Sequence, residues 1–305
     1  MIKLPLPGTK VQSLIDVAGL PGLPVTFIAG GNSGPTVLVV AGVHGGEYGA
    51  ILALVELAWE LTPPMVYGRL LMIHPVNPQG FYERRATVLP EDGKNINSQF
   101  YNHEYKGPAA EIAAIVADLQ SSADFYLDLH TADLFEATSP LACYPATGNE
   151  TVTNASRRAA LMVNAPLIIK SSMPGAGITE AARRGLPALL IKRGGAGGTC
   201  RRPEVDLYKK DVLNVLRHLG SLAGEPVVPL NPPREIVPAY LRSNHQGLWL
   251  PAALAGQAVL AGQPLGRLTD FFGNNLESCC AEKDGTILYG LQALSANPGD
   301  ILMVY

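Results

Sequence analysis

The sequence predicts an α/β fold that ends in a smaller all-β module, and three features predict it. Two apolar segments, Val37–Ala41 and Ala123–Thr131, read as buried strands, and each runs into a site that carries histidine. Apolar residues at Ile51, Leu52, Leu54, Val55, Leu57 and Ala58 follow the first strand with helical spacing, the mark of strand and helix in alternation. After the proline-rich connector Gly224–Pro233 the pattern changes to short strands between glycine turns. A catalytic domain over 1–226 and a β module over 234–305 are therefore expected.

Taken in order, residues 1–35 read as a small β entry, with Leu23–Ala29 as a strand and Gly30–Pro35 as a loop. Arg69–Val76 reads as another buried strand that ends near Pro75, before the long polar loop Tyr82–Asn97. A loop of that length beside a site is more often functional than decorative. Pro108–Gln120 carries a proline at the first helical position and an apolar face, so it predicts a helix. Gly185–Lys192 is a strand entering a glycine turn, and Pro203–Leu219 is an amphipathic helix.

Composition narrows the function. The chain has 305 residues, 47% hydrophobic and 16% charged, which suits a closed core and not a disordered chain. A net charge of −3 offers no basic field for nucleic acid or an anionic membrane, so a small molecule is the expected partner. The opening residues lack the long apolar stretch of a signal peptide and no run approaches a membrane span, which predicts a cytoplasmic protein. Cys143, Cys200, Cys279 and Cys280 lack C-x-x-C spacing and read as packing thiols. The oligomeric state is left open.

His44 and Glu47 stand between the end of a strand and the start of a helix, where open α/β sheets place their ligand sites. An imidazole and a carboxylate are ordinary zinc ligands, and the Gly-Gly spacer between them permits a tight curl. The bland alternative is that the two merely cap a helix. On the later strand Asp128 and His130 lie two apart and share a face, so His130 can complete the ligand set while Asp128 orients a ligand from behind.

His44-x-x-Glu47 with Asp128-x-His130-Thr resembles the succinylglutamate desuccinylase/aspartoacylase family, relatives of the zinc carboxypeptidases. The likeness extends to Asn77-Pro-x-Gly-Phe, to Gly185-Leu-Pro-Ala with its glycine turn, and to the turns from Gly247-Leu-Trp-Leu-Pro to Gly299-Asp. It implies a zinc-carboxypeptidase-like mixed sheet flanked by helices, with a lipoyl-like C-terminal module. It also implies one zinc ion per chain on His44, Glu47 and His130, and hydrolysis of a small N-acyl amino acid or related amide.

Two positions depart from the family pattern. Lys192 stands where the resemblance implies a general-base glutamate, and repulsion from the metal together with burial is expected to push it toward its neutral amine. In the run Asn95-Ile-Asn97-Ser98 the family's substrate-gripping arginine is replaced by serine, leaving Asn97 with Arg84 or Arg85 as candidate substrate contacts. Glu180, on an expected helix, is a substitute base or, more plainly, a solvated residue. Strand alternation allows only one of Lys192 and Arg193 to face the metal. A non-catalytic metal-containing binding protein of the same fold is the alternative to a hydrolase.

Overall fold

The computed structural model describes residues 5–101, 106–195 and 198–305. Its first part runs β1 (Lys10–Val17), β2 (Leu20–Ala29), β3 (Asn32–Ala41), α1 (Tyr48–Glu60), β4 (Tyr67–Ile73), α2 (Pro78–Tyr82) and α3 (Pro108–Ser121). There follow β5 (Phe125–His130), β6 (Glu136–Thr138), β7 (Leu141–Pro145), α4 (Glu150–Ala160), β8 (Leu167–Ser171), α5 (Gly177–Arg183), β9 (Ala188–Lys192), α6 (Arg202–His218) and β10 (Arg234–Ile236). Nine of these strands form one sheet in the order β1-β2-β4-β3-β5-β9-β7-β8-β10. The centre, β4-β3-β5-β9, is parallel, whereas β1, β2 and β4 pair antiparallel and β7 runs against β9. The sheet is therefore mixed, as the resemblance implied.

Both faces of the sheet are covered, and this is why its central strands read as unbroken apolar runs. Val37, Val39, Leu127, Leu129 and Ile191 pack with residues of α1, α4 and α6 on one face. Leu38, Val40, Tyr126 and Ala188 pack with α3 and α5 on the other. Since side chains alternate along a strand, Asp128 and His130 fall on the same face as Tyr126.

The C-terminal strands are β11 (Tyr240–Arg242), β12 (Gly247–Pro251), β13 (Ala258–Val259), β14 (Pro264–Thr269), β15 (Asn275–Cys280), β16 (Gly285–Thr286), β17 (Tyr289–Leu291), β18 (Ser295–Ala296) and β19 (Ile301–Val304). They enclose a separate core around Trp249, Leu265, Leu268, Leu302 and Met303. The two parts interlock. Residue 234 opens the expected β module, yet β10 is the last strand of the large sheet, paired with β8. Conversely, β6 lies in the first part but joins the sheet β11-β19-β17-β6.

Two local expectations change, and a third lies partly outside the described residues. The stretch expected as a loop before Val37 is largely strand, because β3 begins at Asn32 and bulges before Thr36. Cys200 and Cys280 are exposed and so are not packing thiols. The glycine turn after Arg193 falls in part on Ala196 and Gly197, outside the described residues.

Candidate metal centre and active site

Strand β3 delivers Gly42 and Val43 to the sheet's carboxyl end, and His44 follows directly. Gly45 is needed here for a close approach: a Cβ at this position would lie 2.2 Å from the backbone carbon of Gly80 and 2.3 Å from the nitrogen of Phe81. The Gly46 N–H also donates to the Ala86 carbonyl, so the turn is clamped by the segment after α2. Neither Gly45 nor Gly46 takes a left-handed conformation, so the spacer serves close packing and not an unusual curl.

Glu47 sits at the amino end of α1, yet its side chain caps no helix N–H. It is 1% exposed and turned toward two imidazoles instead. Its Oε1 lies 3.0 Å from His44 Nδ1 and 3.1 Å from His130 Nδ1, and its Oε2 lies 2.9 Å from His130 Nδ1. Helix capping as the role of this pair is thereby overturned.

The other nitrogen of His44 faces a hydrogen-bond acceptor, and that of His130 lies close to a carboxylate oxygen. His44 Nε2 is 3.2 Å from Asn95 Oδ1, which also accepts the Asn97 N–H, and His130 Nε2 is 3.2 Å from Asp128 Oδ1. With protons on Nε2 alone, as a bound cation would require, both Nδ1 lone pairs would converge beside Glu47. One ligand atom from each of His44, Glu47 and His130 lies within 4.8 Å of the others. Tetrahedral zinc at ordinary bond lengths sets its donors about 3.3 Å apart, close to the separations around Glu47. Glu47 Oε2 is also buried without a hydrogen-bond partner among the described residues.

The charge balance favours a cation. Burial would raise the Glu47 carboxyl, but His130 and His44 hold it well below the usual carboxylate range. Burial likewise opposes charge on His130, yet Glu47 and Asp128 hold its imidazole up at about 10. A pocket that keeps a proton on a fully buried imidazole is one that a divalent cation can occupy in the proton's place.

A sequence model described as the succinylglutamate desuccinylase/aspartoacylase catalytic domain matches residues 33–219, more than half of the chain and all three candidate ligands. The chain belongs to the succinylglutamate desuccinylase/aspartoacylase family. A curated relative, N-alpha-acetyl-L-2,4-diaminobutyric acid deacetylase of Halomonas elongata, is 28% identical over 296 residues, covering 92% of this chain and 84% of its own. The succinylglutamate desuccinylase/aspartoacylase structure from Rhodobacter sphaeroides is 26% identical, with a TM-score of 0.83 over 96% of this chain and 93% of that one. The ectoine utilization protein EutE (DoeB) of Ruegeria pomeroyi, solved with product bound, shares the fold at a TM-score of 0.87 and 23% identity, over 99% of this chain and 96% of that one.

Against this family background, Lys192 and Arg193 part company. In the parallel register of β5 and β9, Lys192 is opposite His130 and on its face. Its Nζ donates to Glu136 Oε2 at 2.7 Å and lies 5.8 Å from the centre of the Tyr289 ring. Burial opposes its charge, but Glu136 first, then Glu47 and Asp133, hold its pKa above the ordinary lysine value. The ion pair with Glu136 thus works against the neutral amine expected from the sequence and favours the ammonium. Arg193 points through the opposite face to Asp211 of α6, 2.6 Å away, and to the Asn164 carbonyl.

The remaining candidates make no hydrogen bond or ion pair to the three ligands among the described residues. Asn97 Oδ1 accepts the Gly177 N–H at the start of α5. Arg84, at φ +54°, and Arg85, 3.6 Å from Glu83, are exposed on the turn whose Ala86 carbonyl holds Gly46, so they occupy the rim. Glu180 is buried and not solvated, and its Oε1 accepts from the Gly175 N–H and Arg183. Sequence reading missed Asn95, Asp133 and Glu136. Asn95 stands two residues before Asn97 in the same run, and the acids follow His130 as Asp133-Leu-Phe-Glu136, a signal that was available.

Proposed function

We propose that this chain is a zinc-dependent deacylase that hydrolyses the amide bond of a small N-acyl amino acid. The observation that carries the reading is the convergence of His44, Glu47 and His130, one ligand atom each, at the carboxyl end of the central strands. The family and the diaminobutyrate deacetylase relative supply the substrate class. Zinc on three protein ligands would polarise the acyl carbonyl and lower the pKa of a bound water. The chain's own side chains do the rest. Asn95 and Asp128 orient the two imidazoles, and the rim arginines Arg84 and Arg85, with Asn97, are offered to a substrate carboxylate.

Kinship with the zinc carboxypeptidases and a lipoyl-like character of the C-terminal strands belong to the same reading. So does a cytoplasmic setting; no helix among the described residues is long and apolar enough to cross a membrane. The ammonium of Lys192, at the position where the family resemblance implies a glutamate, favours one competing reading, a metal-containing binding protein without turnover.

The two readings separate in one experiment. Acetate and succinate release is assayed from a panel of N-acyl amino acids before and after chelation, with metal content measured in parallel. Turnover lost on chelation and restored by zinc is the expected outcome. Stoichiometric zinc and bound N-acyl amino acid without turnover would establish the binding reading, and a chain that takes up no zinc would end both.

A further inference from the structure

The hydrolase reading requires a group that takes a proton from water and hands it to the departing nitrogen, and such a group must reach both. The structure leaves few choices. Glu47 belongs to the metal centre, and Asp128 is fully buried behind His130. Glu180 is committed to Gly175 and Arg183, and Lys192 is favoured as its ammonium. Asp133 is 4% exposed and its Oδ1 is taken by the Phe135 N–H.

Glu136 differs from all of these. Its side chain keeps 17% of its surface, and its contacts fall on Oε2, which accepts from Lys192 Nζ at 2.7 Å and faces the Asp133 N–H at 3.5 Å. Among the described residues no contact is made to Oε1. The backbone of β6 is pinned to the C-terminal strand β17, with Glu136 opposite Leu291 and the Gln292 N–H donating to the Phe135 carbonyl. Lys192, which grips the carboxylate, is level with His130 across the sheet. The ion pair thus ties a carboxylate to the side chain that leaves the sheet beside His130, on the same face.

We infer that Glu136, held by the Lys192 ammonium, is the proton-transfer group of this site, a reading that rests on the hydrolase function proposed above. In the step, water oxygen bonds to the acyl carbon as its proton passes to Glu136. The carbon–nitrogen bond then breaks and that proton goes to the nitrogen, giving a carboxylic acid and an amine. Lys192 is a positioning residue. The groups facing Glu136 are Lys192 from β9, Asp133 from the turn before β6, and Tyr289 from β17, with Glu47 beyond them. Asp133 is consistent with this division of labour. Burial first and Glu136 second push its carboxyl up to about 6.

The test uses the full-length, zinc-loaded protein. Glu136→Gln is expected to lower kcat by about 10²- to 10⁴-fold with KM and zinc content unchanged, and to erase the acid limb of the pH–kcat profile. Lys192→Met is expected to keep that limb but move it to higher pH, and Asp133→Asn to keep it with kcat within about tenfold of wild type. Should Glu136→Gln fail to fold, Glu136→Asp takes its place, with the limb retained and kcat reduced. A Glu136→Gln enzyme that keeps both its limb and its kcat to within about threefold overturns the assignment while leaving the hydrolase reading intact. A Glu136→Asp enzyme without the acid limb overturns it too. Wild-type protein that binds zinc but turns over no N-acyl amino acid overturns both.

Discussion

Lys192 and Arg193 are consecutive in sequence, and each pairs with one carboxylate, yet the two pairs belong to different regions. The Lys192–Glu136 pair stands on the face of the sheet that carries His130, with 21% and 17% of the side-chain surfaces left to solvent. The Arg193–Asp211 pair is sealed between the sheet and α6, at 6% and 4%. A dry ion pair regains little over a well-packed apolar one, but its loss strands a charge. A damp pair at the mouth of a cluster of donors can exchange protons and meet substrate. Alternation along one strand is enough to separate the two roles.

The largest expected effect would break the comparison if it failed. Asp211→Asn leaves Arg193 buried opposite a neutral amide and should cost about 3–5 kcal/mol in urea unfolding, with kcat nearly unchanged. A collapse of turnover at wild-type stability would show that the Arg193 side also serves the site. Next in size, Asp128→Ala and Asn95→Ala remove the acceptors behind His130 and His44, and each should weaken zinc binding by about 10- to 100-fold. Competition with a chromophoric chelator reads that loss directly, and unchanged zinc affinity would sink the assigned orientation of the rings. The smallest effect belongs to a third pair, Arg157–Glu235, which ties α4 to β10 with 44% and 37% of the side-chain surfaces exposed. Its removal by Arg157→Ala should cost about 0.2–1 kcal/mol, and a larger shift in the unfolding midpoint would mean that exposure is a poor guide to the worth of a pair in this fold.

Much of this was legible in the sequence where local chemistry is strict. The central strands announced themselves because both faces are buried, and Pro108 marked the start of α3. His44, Glu47 and His130 were legible as a group that could hold a metal ion because metal-binding side chains come from few residue types and these follow or end strands of the central sheet. The hairpin β1 went unread since its strand alternates weakly and is largely exposed. The stretch from β7 to β8 also went unread, although Gly148-Asn149 makes a turn and a helix cap, with the Asn149 side chain accepting from the Val152 N–H.

Sequence alone determined the family, the apolar runs that become the central sheet and the three residues able to hold a cation, because each depends on residue type at short range. Tertiary structure decided which of Lys192 and Arg193 faces those residues, through the register of β5 with β9. It also decided that Lys192 meets a carboxylate that favours its charge, because Glu136 arrives on a strand fixed by a partner more than 150 positions away. Charge on a buried amine is set by whatever carboxylates surround it, and those neighbours are assembled only when distant strands pair.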